Sequence, residues 1–237
     1  MEPEFDRLAS SYEQLLQDPV RDRFCGGESL FFHIRKRDLV RAFFRRRQIS
    51  TSALHYLDVG CGKGELLSLL GADFKHAAGC DVSADMMRGI TGVETRVQTD
   101  PTRVPFGDAA FDFVTAVCVY HHVPVDSRRA LTAEIVRVLR PGGIFCMIEH
   151  NPLNPVTRGI VSRTPVDADA ILLRAKEADQ TMAASGLRRL KLEYFLYFPQ
   201  FAYRYLGGLE PLFAGLPLGG QYAVYGSKGA QSPGRQS

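Results

Sequence analysis

Apolar positions along the chain change period near residue 50, and that change organises everything after it. Before it, the spacing is helical. Phe5, Leu8, Tyr12 and Leu15 stand three or four apart, and after the break at Cys25-Gly26-Gly27 the residues Phe32, Leu39, Val40, Phe43 and Phe44 repeat with a helical period. Beyond it, short apolar runs alternate with helical stretches. Strands are predicted over Leu54–Val59, Ala77–Asp81, Val93–Gln98, Phe111–Val119 and Ile144–Glu149. Helices are predicted from the turn after Val59 through Leu70, around Ala84–Ile90 and over Arg128–Arg140, the last ended by Pro141-Gly142-Gly143. Phe111–Val119 is almost wholly apolar, as expected of a central strand buried on both faces.

Strands alternating with helices at these intervals predict βαβ units: a doubly wound, mostly parallel α/β sheet with helices on both faces. Leu190–Phe198 and Gln221–Tyr225 also read as strands, an antiparallel pair closing one edge. The expected organisation is a helical cap over residues 1–50, one α/β domain over 51–226 with an insertion at 151–173 expected to line the acceptor pocket, and a flexible Gly/Ser/Gln/Pro-rich tail over 227–237.

Composition narrows the class without changing this picture. Hydrophobic residues make up 45% of the 237 and charged residues 23%, ordinary values for a soluble domain. The net charge of +3, from 29 basic and 26 acidic residues, gives no reason to expect nucleic acid or an anionic membrane as partner. No apolar run is long enough to span a bilayer, and Met1–Asp6 lacks the features of a signal peptide, so a cytoplasmic protein is expected. The five cysteines form no CxxC pair. Neither a disulfide framework nor a metal site is expected from them, and Cys80, Cys118 and Cys146 read as small buried hydrophobes.

The strongest chemical signal is Asp58-Val59-Gly60-Cys61-Gly62-Lys63-Gly64. Three alternating glycines directly after a strand and before a helix let the backbone approach a ligand closely. Asp81, about twenty residues on and at the end of the second strand, is placed to accept hydrogen bonds from ribose hydroxyls. The spacing departs from the GxGxxG dinucleotide fingerprint, and no Lys-Ser/Thr pair follows as in a P-loop. A ligand without phosphates is therefore favoured.

These motifs, with Asp100, Pro105-Phe106-Gly107-Asp108, Phe111-Asp112-Phe113-Val114 and Leu139-Arg140-Pro141-Gly142-Gly143, resemble the class I S-adenosylmethionine (SAM)-dependent methyltransferases across roughly Tyr56–Glu149. The resemblance implies a seven-stranded sheet with one antiparallel strand at its C-terminal edge, and SAM as cofactor. The implied cofactor set is Asp58, Gly60, Cys61, Gly62, Gly64, Asp81, Val82, Asp100 and Cys118, with Asp81 on the ribose and Asp100 near adenine. For Asp58, bracing the loop is as open as touching the cofactor, and Asp100 also reads as a loop cap.

An acceptor belongs at the carboxyl ends of the strands, where Tyr120-His121-His122-Val123 and Glu149-His150-Asn151 stand. His121 or His122 is a candidate general base, alongside a plain packing role. Glu149, His150 and Asn151 are candidate acceptor contacts. Tyr12, in a segment similar to the helix that folds over SAM in this family, is a candidate gate. Arg35-Lys36-Arg37, Arg41 and Arg45-Arg46-Arg47 read as a solvated helix face rather than an RNA surface. The aromatic run Tyr194–Tyr205 reads as an edge strand plus packed helix, with a pocket wall or dimer face as the alternative. The function expected is methyl transfer to an O or N atom of a small molecule, by a monomer or homodimer. Transfer or cyclisation of SAM's aminobutyryl chain, a non-catalytic SAM-binding protein and an RNA methyltransferase are the alternatives.

Overall fold

The computed structural model describes residues 4–230. Seven strands make one sheet: β1 (His55–Val59), β2 (His76–Asp81), β3 (Glu94–Val97), β4 (Phe111–Val117), β5 (Leu139–His150), β6 (Leu187–Phe195) and β7 (Gln221–Lys228). Their order is β3-β2-β1-β4-β5-β7-β6. β1 to β5 pair in parallel, and β7 runs antiparallel to both β5 and β6. The reversed strand is thus one place in from the edge that β6 forms. The chain winds outward from β1 through β2 to β3, then returns to lay β4 on the other flank of β1. That reversal opens a crevice at the strand carboxyl ends, where ligands of such sheets bind.

Both faces of the sheet are covered. On one, Leu57, Val59, Val114, Phe145, Met147 and Val224 pack with Leu131 and Ile135 of the helix Val125–Val138 and Ala178 and Met182 of Ala175–Ala184. On the other, Tyr56, Phe113, Cys146, Ile148 and Tyr225 meet Val40, Phe43 and Phe44 of the long helix Leu30–Arg46 and Leu66, Leu67 and Leu70 of Glu65–Leu70. The alternation along β4 and β7 sends successive side chains to opposite layers, as a pleated strand must. Phe43 stacks on Tyr225 at 4.0 Å between ring centres, and Phe44 meets Phe113 edge-on at 4.9 Å.

The remaining helices are short. Numbered in chain order, α1 (Glu4–Leu8), α2 (Tyr12–Leu15) and α3 (Pro19–Cys25) precede the long helix, α4; Glu65–Leu70 is α5 and Ala84–Met87 α6. Val125–Val138 is α7, Pro155–Val161 α8 and Ala175–Ala184 α9, followed by α10 (Gln200–Leu206) and α11 (Glu210–Phe213). Asp18 caps α3 by accepting from Val20 N and Arg21 N at 3.0 and 2.9 Å, and Arg163 holds the same carboxylate at 2.7 Å.

Several expectations are corrected. Pro141-Gly142-Gly143 does not separate a helix from a strand, because β5 already begins at Leu139. Its residues form an irregularity where the β4–β5 register shifts between Phe111 and Phe113. Ser227 and Lys228, assigned to the tail, belong to β7, and Lys228 Nζ donates to the carbonyls of Val136 and Leu139. The rest of the expected tail, from 231 on, lies outside the described residues. The aromatic run divides three ways: Phe195 is buried, Tyr197 lines a cleft, and Phe201 and Tyr205 on α10 stand 67% and 72% exposed.

Arg35 and Lys36 are not solvated. Both are buried, and only the remainder of that basic run faces water. Arg35 pairs with Glu210 at 2.5 Å and lies over the Tyr203 ring, tying α4 to α10 and α11.

Candidate active site

A cavity of about 1380 Å³ occupies the crevice. Sites for one small ligand commonly measure roughly 300–1,000 Å³, so there is room for a cofactor and an acceptor together.

One half is built by the turn after β1. Gly60 has φ +69°, and a Cβ there would stand 2.4 Å from Val119 Cγ2, which leaves glycine as the residue that fits. Gly60 N and Cys61 N both donate to Cys80 O, drawing the turn over the end of β2. Gly62 N donates to Asp81 Oδ2 at 2.8 Å and Ser83 N to Asp81 Oδ1 at 2.9 Å. Asp81 and Val82 line the cavity beside Cys61, and burial raises the Asp81 carboxyl above the usual carboxylate range. Gly64 is outside the lining; it precedes α5, packed where a Cβ would meet Ile90.

Asp58 is almost fully buried at the base of this half. Thr115 Oγ1 donates to its Oδ1 at 2.6 Å, with Tyr56 Oη 2.8 Å from the same hydroxyl. Burial pushes the Asp58 carboxyl up to about 7. It lines the cavity and braces its floor at once. Asp100 is corrected. Its Oδ1 accepts from Thr102 N and Oγ1 at 2.8 and 2.7 Å in an exposed local turn, and its neighbours Thr99 and Pro101 line the cavity instead. A short acid followed by Pro and Thr satisfies itself locally and has no need of a ligand.

The N-terminal helices close over this half. Asp6 accepts from Ser83 Oγ at 2.5 Å and Asp85 N at 3.2 Å, fastening α1 to α6. Tyr12 lines the cavity, and burial raises its hydroxyl pKa further, keeping it a donor.

The other half forms where β4 ends. Cys118 takes φ +57° and turns the chain into the His121-His122 segment. Glu149, fully buried on β5, fixes that segment: it accepts from Val119 N, Tyr120 N and His121 Nδ1 at 2.9, 2.7 and 2.5 Å. Against the desolvation of burial, Glu149 and Asp167 hold His121 up at about 10. Burial and the neighbouring His121 push His122 down to about 4. Glu149 is therefore a brace rather than an acceptor contact. So is Asn151, whose amide donates to Pro217 O and Gly219 O and whose Oδ1 accepts from Leu153 N. His150, His121 and His122 do line the cavity.

Cys118 is corrected too, for it is only partly buried, unlike Cys80 and Cys146. It lines the cavity with Lys36 Nζ at 3.8 Å and Gln221 Nε2 at 3.5 Å. Burial alone would raise its pKa, but Lys36 and His150 outweigh it and lower the thiol to about 7.

Lys36, Asp167 and Gln221 escaped assignment from sequence. For Lys36 a signal existed: it stands four residues from both Phe32 and Val40, on the apolar stripe of α4 rather than its solvent side. Asp167 and Gln221 reach the site from 45 and 99 residues beyond His122; Asp167 was marked only by its place in the 151–173 insertion, and Gln221 carried no local mark.

Comparison with known proteins agrees with this geometry. A family model described as a methyltransferase domain matches residues 57–147. The sterol methyltransferase-like 2 protein of Botryococcus braunii is 34% identical over 106 residues, 39% of this chain and 26% of that relative. The tRNA (carboxymethyluridine(34)-5-O)-methyltransferase of Arabidopsis thaliana is 34% identical over 115 residues, 47% of this chain and 28% of that relative. The matched stretch thus spans under a third of these relatives' length. A SAM-dependent methyltransferase from Archaeoglobus fulgidus shares the fold at TM-score 0.62 and 18% identity, covering 85% of this chain and all of that one. The glycine turn, the acid at the end of β2 and the sheet order agree with that match: residues 57–147 are a methyltransferase domain, and the fold is the one shared by class I SAM-dependent methyltransferases.

Proposed function

We propose that this chain binds SAM against the Gly60–Gly62 turn and Asp81, and transfers its methyl group to an oxygen or nitrogen of a small acceptor held between α4 and the ends of β4 and β5. The observation that carries this is the size and two-sided chemistry of one cavity: a bare backbone turn with a carboxylate on one side, and Lys36, Cys118 and His150 on the other. The acceptor's lone pair attacks the methyl carbon, the carbon–sulfur pair returns to sulfur, and S-adenosylhomocysteine and a methylated acceptor leave. Because a sulfonium is already activated, holding the partners aligned away from water accounts for most of the work.

In this reading residues 4–50 cap the cofactor and 151–173 wall the acceptor. Tyr12 orients from the cap. His121, gripped at Nδ1 by Glu149, positions the turn, and His122 and His150 face the acceptor. Lys36 is a buried ammonium whose hydrogen-bonding side-chain partner among the described residues is the Cys118 sulfur. Such a charge favours an acceptor that brings negative character with it.

An RNA acceptor is disfavoured by the basic face of α4, which is largely spent on the protein itself. Arg41 is paired with Asp73 at 2.6 Å, Arg37 with Asp38 at 2.8 Å, and Arg46 lies 3.8 Å from Glu193. No helix of the described residues is long and apolar enough to cross a membrane.

Calorimetry tests the reading. The purified protein is expected to take up SAM, and Asp81→Ala to weaken it by at least about 1 kcal/mol, roughly fivefold, for a lost charged hydrogen bond. Turnover releasing S-adenosylhomocysteine supports methyl transfer. Methylthioadenosine would shift the chemistry to the aminobutyryl chain, and no uptake at all would end the proposal.

A further inference from the structure

His121 Nε2 and His122 Nε2 both face one carboxylate oxygen, Asp167 Oδ1, at 3.4 and 3.5 Å, and the three residues each offer a ligand atom within 4.8 Å of the other two. These separations exceed the 2.7–3.2 Å of a good N–H···O hydrogen bond. They match what ligands on a shared tetrahedral cation require: bonds of about 2.0–2.1 Å put neighbouring ligand atoms roughly 3.3–3.4 Å apart. The cluster is not an exposed patch. The side chain of His121 is 1% exposed, that of Asp167 11% and that of His122 23%. Behind it, His121 Nδ1 is bound to the fully buried Glu149 at 2.5 Å, the carboxylate–histidine arrangement that orients the ring and aims Nε2 at the cluster. All three ligands line the cavity, so the remaining coordination positions open toward the acceptor.

We infer that His121, His122 and Asp167 form a binding site for a divalent cation of the zinc class at the acceptor side of the cavity. Two imidazoles and one carboxylate suit zinc, iron or cobalt and are poor ligands for magnesium or calcium, which prefer all-oxygen shells. Three protein ligands with open positions are the pattern of a working site rather than a structural one. Resting on the reading proposed above, the cation would seat an acceptor presenting a hydroxyl or a pair of neighbouring oxygens and make that hydroxyl more acidic. It is neither consumed nor oxidised. The hydroxyl proton passes to solvent, and the methyl balance is as already written.

Cobalt(II) titration of the full-length, metal-free protein tests the site directly. One equivalent is expected to bind with visible ligand-field absorption and to be displaced by zinc. Asp167→Asn and His122→Ala are each expected to weaken binding at least tenfold, and Glu149→Gln, which holds His121 and the turn before it without being a ligand, by about 10–100-fold. SAM uptake by each variant is measured in parallel, so a variant that binds SAM but not cobalt is folded and supports the site. Absence of binding by the parent protein overturns the inference, as does unchanged affinity in both ligand variants. A thiolate-to-cobalt charge-transfer band, placing the ion on Cys118, overturns it as well. If cobalt binds and SAM does not, the cation site stands while the proposed function falls.

Discussion

A buried carboxyl on a central strand is costly, and Asp58 shows how the protein carries the cost. It sits under the cofactor turn with one hydroxyl donor, Thr115, and its pKa is pushed by burial from an unfolded value near 3.8 to about 7. The folded state therefore keeps a proton that the unfolded chain has already lost. Stability from this group is present at low pH and falls as pH rises from about 4 to about 7, by at most about 1.4 kcal/mol for each unit. Asp58→Asn is expected to flatten that part of the stability–pH curve, measured as urea midpoints at several pH values. A curve of unchanged slope would mean that the carboxylate is ionised in the native protein. Lys36 is the counterpart at the same scale: a cation drawn onto an apolar stripe, where its ammonium meets the Cys118 sulfur.

At the level of elements, α4 does two jobs with two stripes. Phe44 fills the space between Phe74 and Phe113, and Phe44→Ala is expected to cost about 3–5 kcal/mol of unfolding free energy. Arg45→Ala, one residue away on the exposed face, is expected to change stability by less than about 0.5 kcal/mol. Equal effects in denaturant titrations would mean that the helix does not dock as described. The same helix brings Lys36 to the cavity and Arg35 to Glu210, so its packing sets the position of that cavity wall.

Across the whole molecule, the site exists because separate elements converge: the β1 turn, the end of β4, the end of β5, α1 and α4, and the segment around Asp167. A ligand there joins them and should stabilise the fold as a unit. S-adenosylhomocysteine at one hundred times its dissociation constant is expected to add about 2.7 kcal/mol, read as a rise in the thermal midpoint. An unmoved midpoint at saturating ligand would show that the native cavity holds nothing the unfolded chain lacks.

The strand–turn–helix units, the glycine turn and Asp81 were legible in the sequence because each depends on neighbours close along the chain: hydrophobic period, backbone freedom, the acid at a strand's end. The parallel sheet followed from them. Element ends were less so, and Pro141-Gly142-Gly143 misled because a register shift between two strands leaves no trace in either strand alone. Side-chain placements at the ends of β4 and β5 were decided only in three dimensions. Glu149 and Asn151 turned inward to satisfy buried backbone groups, Asp100 satisfied itself, and Lys36 left the solvent face it was assigned. Asp167 became a neighbour of His121 and His122 through the fold of a segment more than forty residues downstream. Local periodicity is written in the chain itself, whereas which polar groups end up sharing a dry pocket is settled by packing between distant parts of it.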